Sequence, residues 1–463
     1  MLSAKFTDEG QQFIASQMPE PQLMVHDLQG IGDQDVTQKL EAIRQRLSHR
    51  KLSISSGEVM GLELSLLPLG KTRIHFDVDL LVADVQSLHI LLSDLASAYA
   101  GNKNLAADPN WRFAHYLSIE AERNQKKQEQ DKAYWQQRLV NLPLGPQLPL
   151  KLDPDSIQKP EFVRRTWILP HKQWQVLRDI AAAQQITPAM MLLTAYAETL
   201  SRWSSEQHFL INMPLFDRQT DHPSVEHAVA DFTNLLLLEC DCREPTDFLS
   251  RVKQLQQQFL KDVKHARYSA VNVQRDMVKQ GLTQGVVAPV VFACNLGTPL
   301  LTEQCRSTLG SLHYMISQTP QVWLDHQIYE VEDGLLLAWD AVEELFPEPL
   351  LDDMFSAYTA LLEWLSADPT HWQKVETLNL PEHQQKVRQE SNASEAAQVD
   401  KLLHQGMFEI AQQTPERQAL VWGEQSWSYA QLAEQALRIA AMLQDHGLQI
   451  AEPVAVTLPR GLQ

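Results

Sequence analysis

Asp79-Leu80-Leu81-Val82-Ala83-Asp84-Val85-Gln86-Ser87 is the stretch on which the reading of this chain turns. Before it, Leu62, Leu64 and Leu66, then Ile74, Phe76 and Val78, alternate with period two on either side of Pro68-Leu69-Gly70-Lys71, which predicts a hairpin delivering Asp79 at its end. After it, Leu88, Leu91, Leu92, Leu95 and Tyr99 fall on one helical face, with Gly101 as the C-terminal cap and Asp84 placed to cap the start. Two carboxylates therefore converge on a turn beside Ser87. On these residues alone the plainer reading is an acidic turn whose carboxylates cap the helix and bind neighbouring amides.

Outward from this turn, strands and helices alternate irregularly, as in an α/β or α+β protein rather than a repeat array or bundle. Val36, Leu40, Ile43 and Leu47 share a helical face, and Thr187-Pro188 opens a helix through Met191, Leu192 and Tyr196 toward Trp203. Phe209 to Phe216 reads as a strand. Val252, Leu255, Phe259, Leu260 and Val263 form a further helical stripe, and Ala288 to Leu296 is an apolar strand between Gly285 and Gly297. Asp333-Gly334 is a two-residue turn signal pairing Val322–Val331 with Leu335–Trp339. Gln384 to Gln398 has the composition of a linker. Beyond it, Leu432, Ala436, Ile439, Ala440 and Leu443 predict a helix closed by Gly447, and Val454 to Leu458 a strand.

The bulk composition excludes several functions. With 463 residues, 44% of them hydrophobic, the chain has material for more than one core. A net charge of -19 with no basic stripe argues against nucleic acid as a partner. No apolar run reaches membrane-spanning length and no signal core follows Met1, so a cytoplasmic protein without a membrane partner is expected. Cys240, Cys242, Cys294 and Cys305 suit neither a disulfide framework nor a zinc site, and no metal is expected.

Four spaced motifs, in order, resemble the heterocyclization subfamily of nonribosomal peptide synthetase condensation domains over nearly all of residues 1–385. The opening stretch is similar to its DxxxxDxxS signature. Leu142-Pro143-x-x-Pro146-x-Leu148-Pro149-Leu150-x-x-x-Pro154 matches its proline-rich motif, and Asp231-Phe232-Thr233 with Leu235 resembles GDFTxL with Ala230 in place of glycine. Ser317-Gln318-Thr319-Pro320-Gln321-Val322-Trp323-Leu324-Asp325-His326-Gln327 is similar to a further motif. The resemblance implies two chloramphenicol-acetyltransferase-like α/β lobes forming a cleft, 1–165 and 166–383, then a linker at 384–400. Residues 401–463 resemble the start of an adenylation domain, through Ala419-Leu420-Val421-Trp422-Gly423-Glu424 and Ser428-Tyr429-Ala430-Gln431-Leu432.

In an ordinary condensation domain an HHxxxDG motif brings an imidazole to the acceptor amine. Aligned on Asp84, that motif would put Asp79 and Leu80 where the histidines stand, and leucine accepts no proton. The resemblance moves the chemistry to Asp325, associated with cyclodehydration, and to Asn212, which lines the site. An extended strand would place Gln321, Trp323, Asp325 and Gln327 on one face and Val322, Leu324 and Ile328 on the other. Without the family, a solvent-facing sheet surface for Asp325 and a backbone-satisfying amide for Asn212 stay open. Asp79, Asp84, Ser87, Thr319 and Gln321 are expected to organise the cleft. Ala293 stands where the family often has a threonine that assists ring closure.

The implied reaction joins a carrier-bound acyl or aryl group to a carrier-bound cysteine, serine or threonine and closes a thiazoline or oxazoline, as in siderophore-like products. Alternatives are amide formation without cyclization, or a catalytically idle docking domain. The chain is expected to bind no cofactor itself, its substrates riding on the phosphopantetheine of upstream and downstream carrier domains, with the rest of the adenylation domain as a further partner. Relative to the family, the chain reads as lacking the opening helix and the Arg-His segment, and as stopping before any glycine-rich phosphate loop or carrier serine motif.

Overall fold

The computed structural model describes residues 2–14, 23–102, 111–216, 218, 222–283, 285–297, 299–375, 378–395 and 401–458. The chain divides into two compact units, 1–381 and 382–463. The first opens with a small hairpin, β1 (Ala4–Phe6) and β2 (Gln12–Ile14), whose Ala4 packs with Val59, Val82 and Ala83. Next come β3 (Met24–Asp27), α1 (Asp33–Ser48), β4 (Met60–Leu66) and β5 (Thr72–Val78). These strands form one sheet in the order β3-β4-β5, and Leu64 pairs with Ile74 across the expected hairpin.

Alternation identified these strands but not the face that is covered. Glu63 and Ser65 are buried, while Leu62, Leu64 and Leu66 are only half-buried. The reason is α1 and the residues just after it, which lay basic side chains on the polar face: Arg46 Nη2 donates to Glu63 Oε2 at 2.6 Å, and Arg50, two residues beyond the helix, donates to Asp77 at 2.8 Å. The Arg46 bond holds the Glu63 carboxyl down at about 2 despite its burial. α2 (Val85–Tyr99) follows, capped by Asp84, with Gly101 left-handed just beyond its end, and then the long α3 (Phe113–Arg138).

β6 (Phe162–Pro170), which spans the boundary expected between the lobes, pairs along its whole length with β11 (Gly334–Val342). Between them lie α4 (His171–Ala183), α5 (Pro188–Trp203), β7 (His208–Phe216), the short α6 (Pro223–Glu226), β8 (Thr233–Asp241), α7 (Phe248–Asp262) and α8 (Ala270–Lys279). β9 (Val290–Asn295), α9 (Glu303–Leu309) and β10 (Leu324–Val331) precede β11, and α10 (Leu350–Ala367) follows it. The six-stranded sheet runs β6-β11-β10-β9-β7-β8, with β9 parallel to both β10 and β7. Thr187 caps α5 as expected, and that helix is buried almost all round, with Met191, Leu192, Leu193 and Tyr196 at 0% exposure. On α7, Val252 and Leu255 are buried, but Leu260 is half-exposed and belongs to the outer face.

The hairpin turn is displaced by one residue from its expected position. Val331 pairs with Gly334, so Glu332 and Asp333 form the turn and Gly334 already belongs to the strand. Glycine is needed there for a different reason: a Cβ would sit 2.0 Å from the Leu169 carbonyl oxygen of β6. Among the described residues all four cysteines are free thiols.

The second unit carries α11 (Glu382–Asn392), α12 (Gln405–Gln413), a hairpin of β12 (Gln418–Trp422) and β13 (Gln425–Ser428), and α13 (Tyr429–Asp445). α11 is a polar helix that starts two residues before the stretch expected as a linker and fills its first half; linker residues 396–400 lie outside the described residues. Ser428 and Gln431 form a reciprocal capping box at the start of α13. Val454–Leu458 is not a strand; among the described residues no neighbouring strand pairs with it.

Candidate functional site

Register places the chemistry in one row across the large sheet. Arg164 pairs with Asp340, Asp340 with Asp325, Asp325 with Val291, and Val291 with Asn212. Directly paired residues project to the same face, so Asn212 and Asp325, distant in sequence, share one surface with Val291 between them. Two strand spacings separate their Cα atoms by about 10 Å. The opposite face, with Val290, Phe292, Leu324 and Ile328, is the main core.

Along β10 the side chains of Asp325, Gln327 and Tyr329 form a hydrogen-bonded chain. Tyr329 donates to Gln327 Oε1 at 2.8 Å, and Gln327 Nε2 donates to Asp325 Oδ2 at 2.8 Å. Asp340 beside them is satisfied differently: Arg164 grips it with two bonds, at 2.6 and 2.5 Å, and the Ser317 amide donates a third at 2.9 Å. The guanidinium is thus spent on Asp340, and among the described residues Asp325 has no cation of its own. Burial, then repulsion from Asp340, pushes the Asp325 carboxyl up to about 6, although Gln327, Arg164 and Ser317 pull the other way.

In this row two acceptors lack a donor among the described residues, Asp325 Oδ1 and Asn212 Oδ1. Asp325 is 4% exposed and Asn212 8%. Asp325 is therefore not on a solvent-facing surface, and the Asn212 carbonyl is not satisfied by neighbouring backbone. A buried polar atom left unpaired costs about 1–3 kcal/mol, and two such acceptors in one row fit a site whose occupant brings N–H, O–H or S–H groups.

The motif preceding Asp325 departs from the expected strand. Pairing begins at Leu324, Val322 donates to the Thr319 carbonyl at 3.2 Å, and Gln321 sits exposed in a left-handed turn at φ 68°. This turn breaks the two-residue alternation. Gln321 does not line the face beside Asp325, and Val322, expected on the opposite face, packs with Val291 and Ala293. Thr319 is half-buried at the start of the turn. Gln318 before it donates to the Ser48 carbonyl at the end of α1, tying this loop to the first lobe. Ala293 pairs with Gln327 on the site face, diagonal to Asp325, so its methyl stands where a threonine hydroxyl would face the polar chain. His326 points into the core, between the Ala338 carbonyl and the Tyr358 hydroxyl, and burial pushes it down to about 3.

The stretch from Asp79 to Ser87 joins the two lobes. Asp84 Oδ1 accepts from the Ser87 amide and hydroxyl, each at 2.7 Å, and from Arg218 Nη2 at 2.6 Å. Arg218 also donates to the Val225 and Ala228 carbonyls and lies 4.3 Å over the Phe232 ring. Ser87 Oγ also lies 2.8 Å from the Ala230 carbonyl, which shares the single hydroxyl proton with Asp84, and it accepts from the Ala230 amide. The signature aspartate and serine thus lock α2 onto the Ala230-Asp231-Phe232-Thr233 segment. Asp79 takes no part and caps its own turn through the Leu81 amide at 2.9 Å. Gln327, expected on the face of Asp325, is there; Arg218, Asp340, Arg164 and Tyr329 were not anticipated, and a lone Asp340 within Leu335–Val342 is the one signal the sequence offers for them.

Residues 3–388 match the condensation domain family, and residues 407–463 match the AMP-binding enzyme family. The chain is 40% identical to pyochelin synthetase PchE of Pseudomonas aeruginosa, covering 100% of the chain and 32% of that protein. It is 37% identical to phenyloxazoline synthase MbtB of Mycobacterium tuberculosis, covering 99% of the chain and 32% of the relative. The chain therefore spans about a third of the length of these curated relatives. The EpoB cyclization-docking bidomain from Sorangium cellulosum is similar in structure, with TM-score 0.72 at 30% identity over 80% of this chain and 75% of that one.

Proposed function

The chain belongs to the condensation domain family of nonribosomal peptide synthetases, as its heterocyclization type followed by the start of an AMP-binding domain, and on that premise we propose that Asp325 and Asn212 carry its chemistry. The observation that supports this most strongly is the pair of buried, donorless oxygens on one sheet face. The substrates are a carrier-bound acyl or aryl thioester and a carrier-bound cysteine, serine or threonine, presented on phosphopantetheine. The aryl-oxazoline and pyochelin syntheses named for its relatives support an aryl donor and a siderophore-like product.

In the first phase the acceptor amine attacks the thioester carbonyl, the C–N bond forms, the C–S bond breaks, and the carrier thiol leaves with a proton. In the second, the acceptor's thiol or hydroxyl adds to the new amide carbonyl, and the former carbonyl oxygen departs as water while nitrogen gives up its proton. Asp325 Oδ1 takes the proton from the attacking thiol or hydroxyl and returns one to the departing oxygen. A carboxyl near 6 suits both directions around neutral pH. Asn212 Oδ1 accepts the amide N–H and holds the carbonyl toward Asp325.

Ala293 supports a second reading, amide formation without ring closure, because no hydroxyl stands beside Gln327 at that position. Incubating the full chain with an acyl-loaded and a cysteine-loaded carrier, then weighing the product, separates the readings. A product lighter by one water than the open amide supports heterocyclization, open amide supports the second reading, and no product supports a docking role.

A further inference from the structure

β9 carries a third polar side chain onto the same face. Val291, Ala293 and Asn295 alternate there, and Asn295 pairs with Tyr329, the far end of the chain that leads through Gln327 to Asp325. Asn295 is 7% exposed, and neither its Oδ1 nor its Nδ2 finds a hydrogen-bond partner among the described residues. A carboxamide orphaned at both atoms is costly to bury, and its complement is a group presenting a donor and an acceptor together. An amide is that group.

The position says which amide. Asn295 lies four residues along β9 from Val291, the neighbour of Asp325, which puts its Cα about 14 Å from that of Asp325. That is too far for the bond being made. The second amide of an extended pantetheine arm lies about 10 Å from the thioester sulfur, a distance that the two side chains make up. We propose that Asn295 is a substrate-binding residue that takes an amide of the pantetheine arm, Nδ2 donating to its carbonyl and Oδ1 accepting its N–H. The site face then has two functions, the row through Asp325 and Asn212 acting on the acyl end and Asn295 gripping the arm. This rests on the reading that substrates arrive on carriers, but not on ring formation.

The test is calorimetric titration of the full chain with pantetheine, and with cysteamine, which keeps the thiol but has neither amide. Asn295→Ala should weaken pantetheine binding about tenfold, the worth of one to two hydrogen bonds, and leave cysteamine unchanged. Asn295→Leu, which keeps the volume and removes the orphaned atoms, should weaken it equally while melting no lower than the parent. Equal pantetheine affinity in parent and variants, or no saturable binding by the parent, overturns the assignment. Ring formation by the parent in the carrier assay together with unchanged pantetheine binding would overturn this inference alone.

Discussion

Replacing Asp325 by asparagine should strengthen the fold at neutral pH while removing the chemistry. Burial and the neighbouring Asp340 move the Asp325 carboxyl from its ordinary 3.8 to about 6. Because the folded-state value is raised, the stability tied to this group is complete below 3.8 and is lost as pH rises through about 6. Integrating between the two states gives a loss of about 2 kcal/mol at about pH 5 and about 3 kcal/mol at about pH 8. Asparagine carries no charge and keeps the bond to Gln327 through its carbonyl. The groups facing it, Asp340 with Arg164 on the next strands, Ser317 on the loop, and Gln327 and Tyr329 on β10, are common to both proteins. The stability difference should therefore shift by about 1 kcal/mol in the variant's favour between those two pH values. Urea unfolding followed by tryptophan fluorescence measures it, and a difference unchanged by pH would refute a buried, cation-free carboxylate at this position.

Arg218→Met leaves the Asp84 carboxylate buried and unpaired, at a cost of about 3–5 kcal/mol; melting should fall steeply, and surviving activity should show an unchanged ratio of ring to open amide. Ala293→Thr should raise that ratio by placing a hydroxyl beside Gln327, at about 1 kcal/mol of stability for filling a packed position, read by product mass and thermal melt. His326→Gln should lower the melting temperature, since it removes ring contacts with Tyr196, Phe292 and Tyr358, yet leave the pH profile of amide formation unchanged.

What was legible in the sequence is what local pattern encodes. The β4–β5 hairpin, the Asp84-capped helix and the Thr187-Pro188 entry to α5 each rest on neighbouring residues, and each is present. Asp325 and Asn212 were legible through their motifs, but their shared face depends on a parallel pairing through β9 that no local signal encodes. The left-handed Gln321 defeated the alternation argument, because one such residue reverses which side chains share a face. The Arg164–Asp340 pair was invisible for a related reason, since its partners meet only when β6 closes the sheet edge against β11. Asp84 and Ser87 stand together in the motif, but their partners Arg218 and Ala230, distant in sequence, meet them only in the folded chain.

The assignment of proton transfer to Asp325 is tested most directly by the rate of ring formation in the full chain and in Asp325→Asn, each supplied with the same acyl-loaded and cysteine-loaded carriers. Loss of a positioned acid–base group should slow the appearance of the dehydrated product by about 10²–10⁴-fold, with the parent's rate rising through a limb near pH 6. Ring formation by the variant at the parental rate would contradict the assignment.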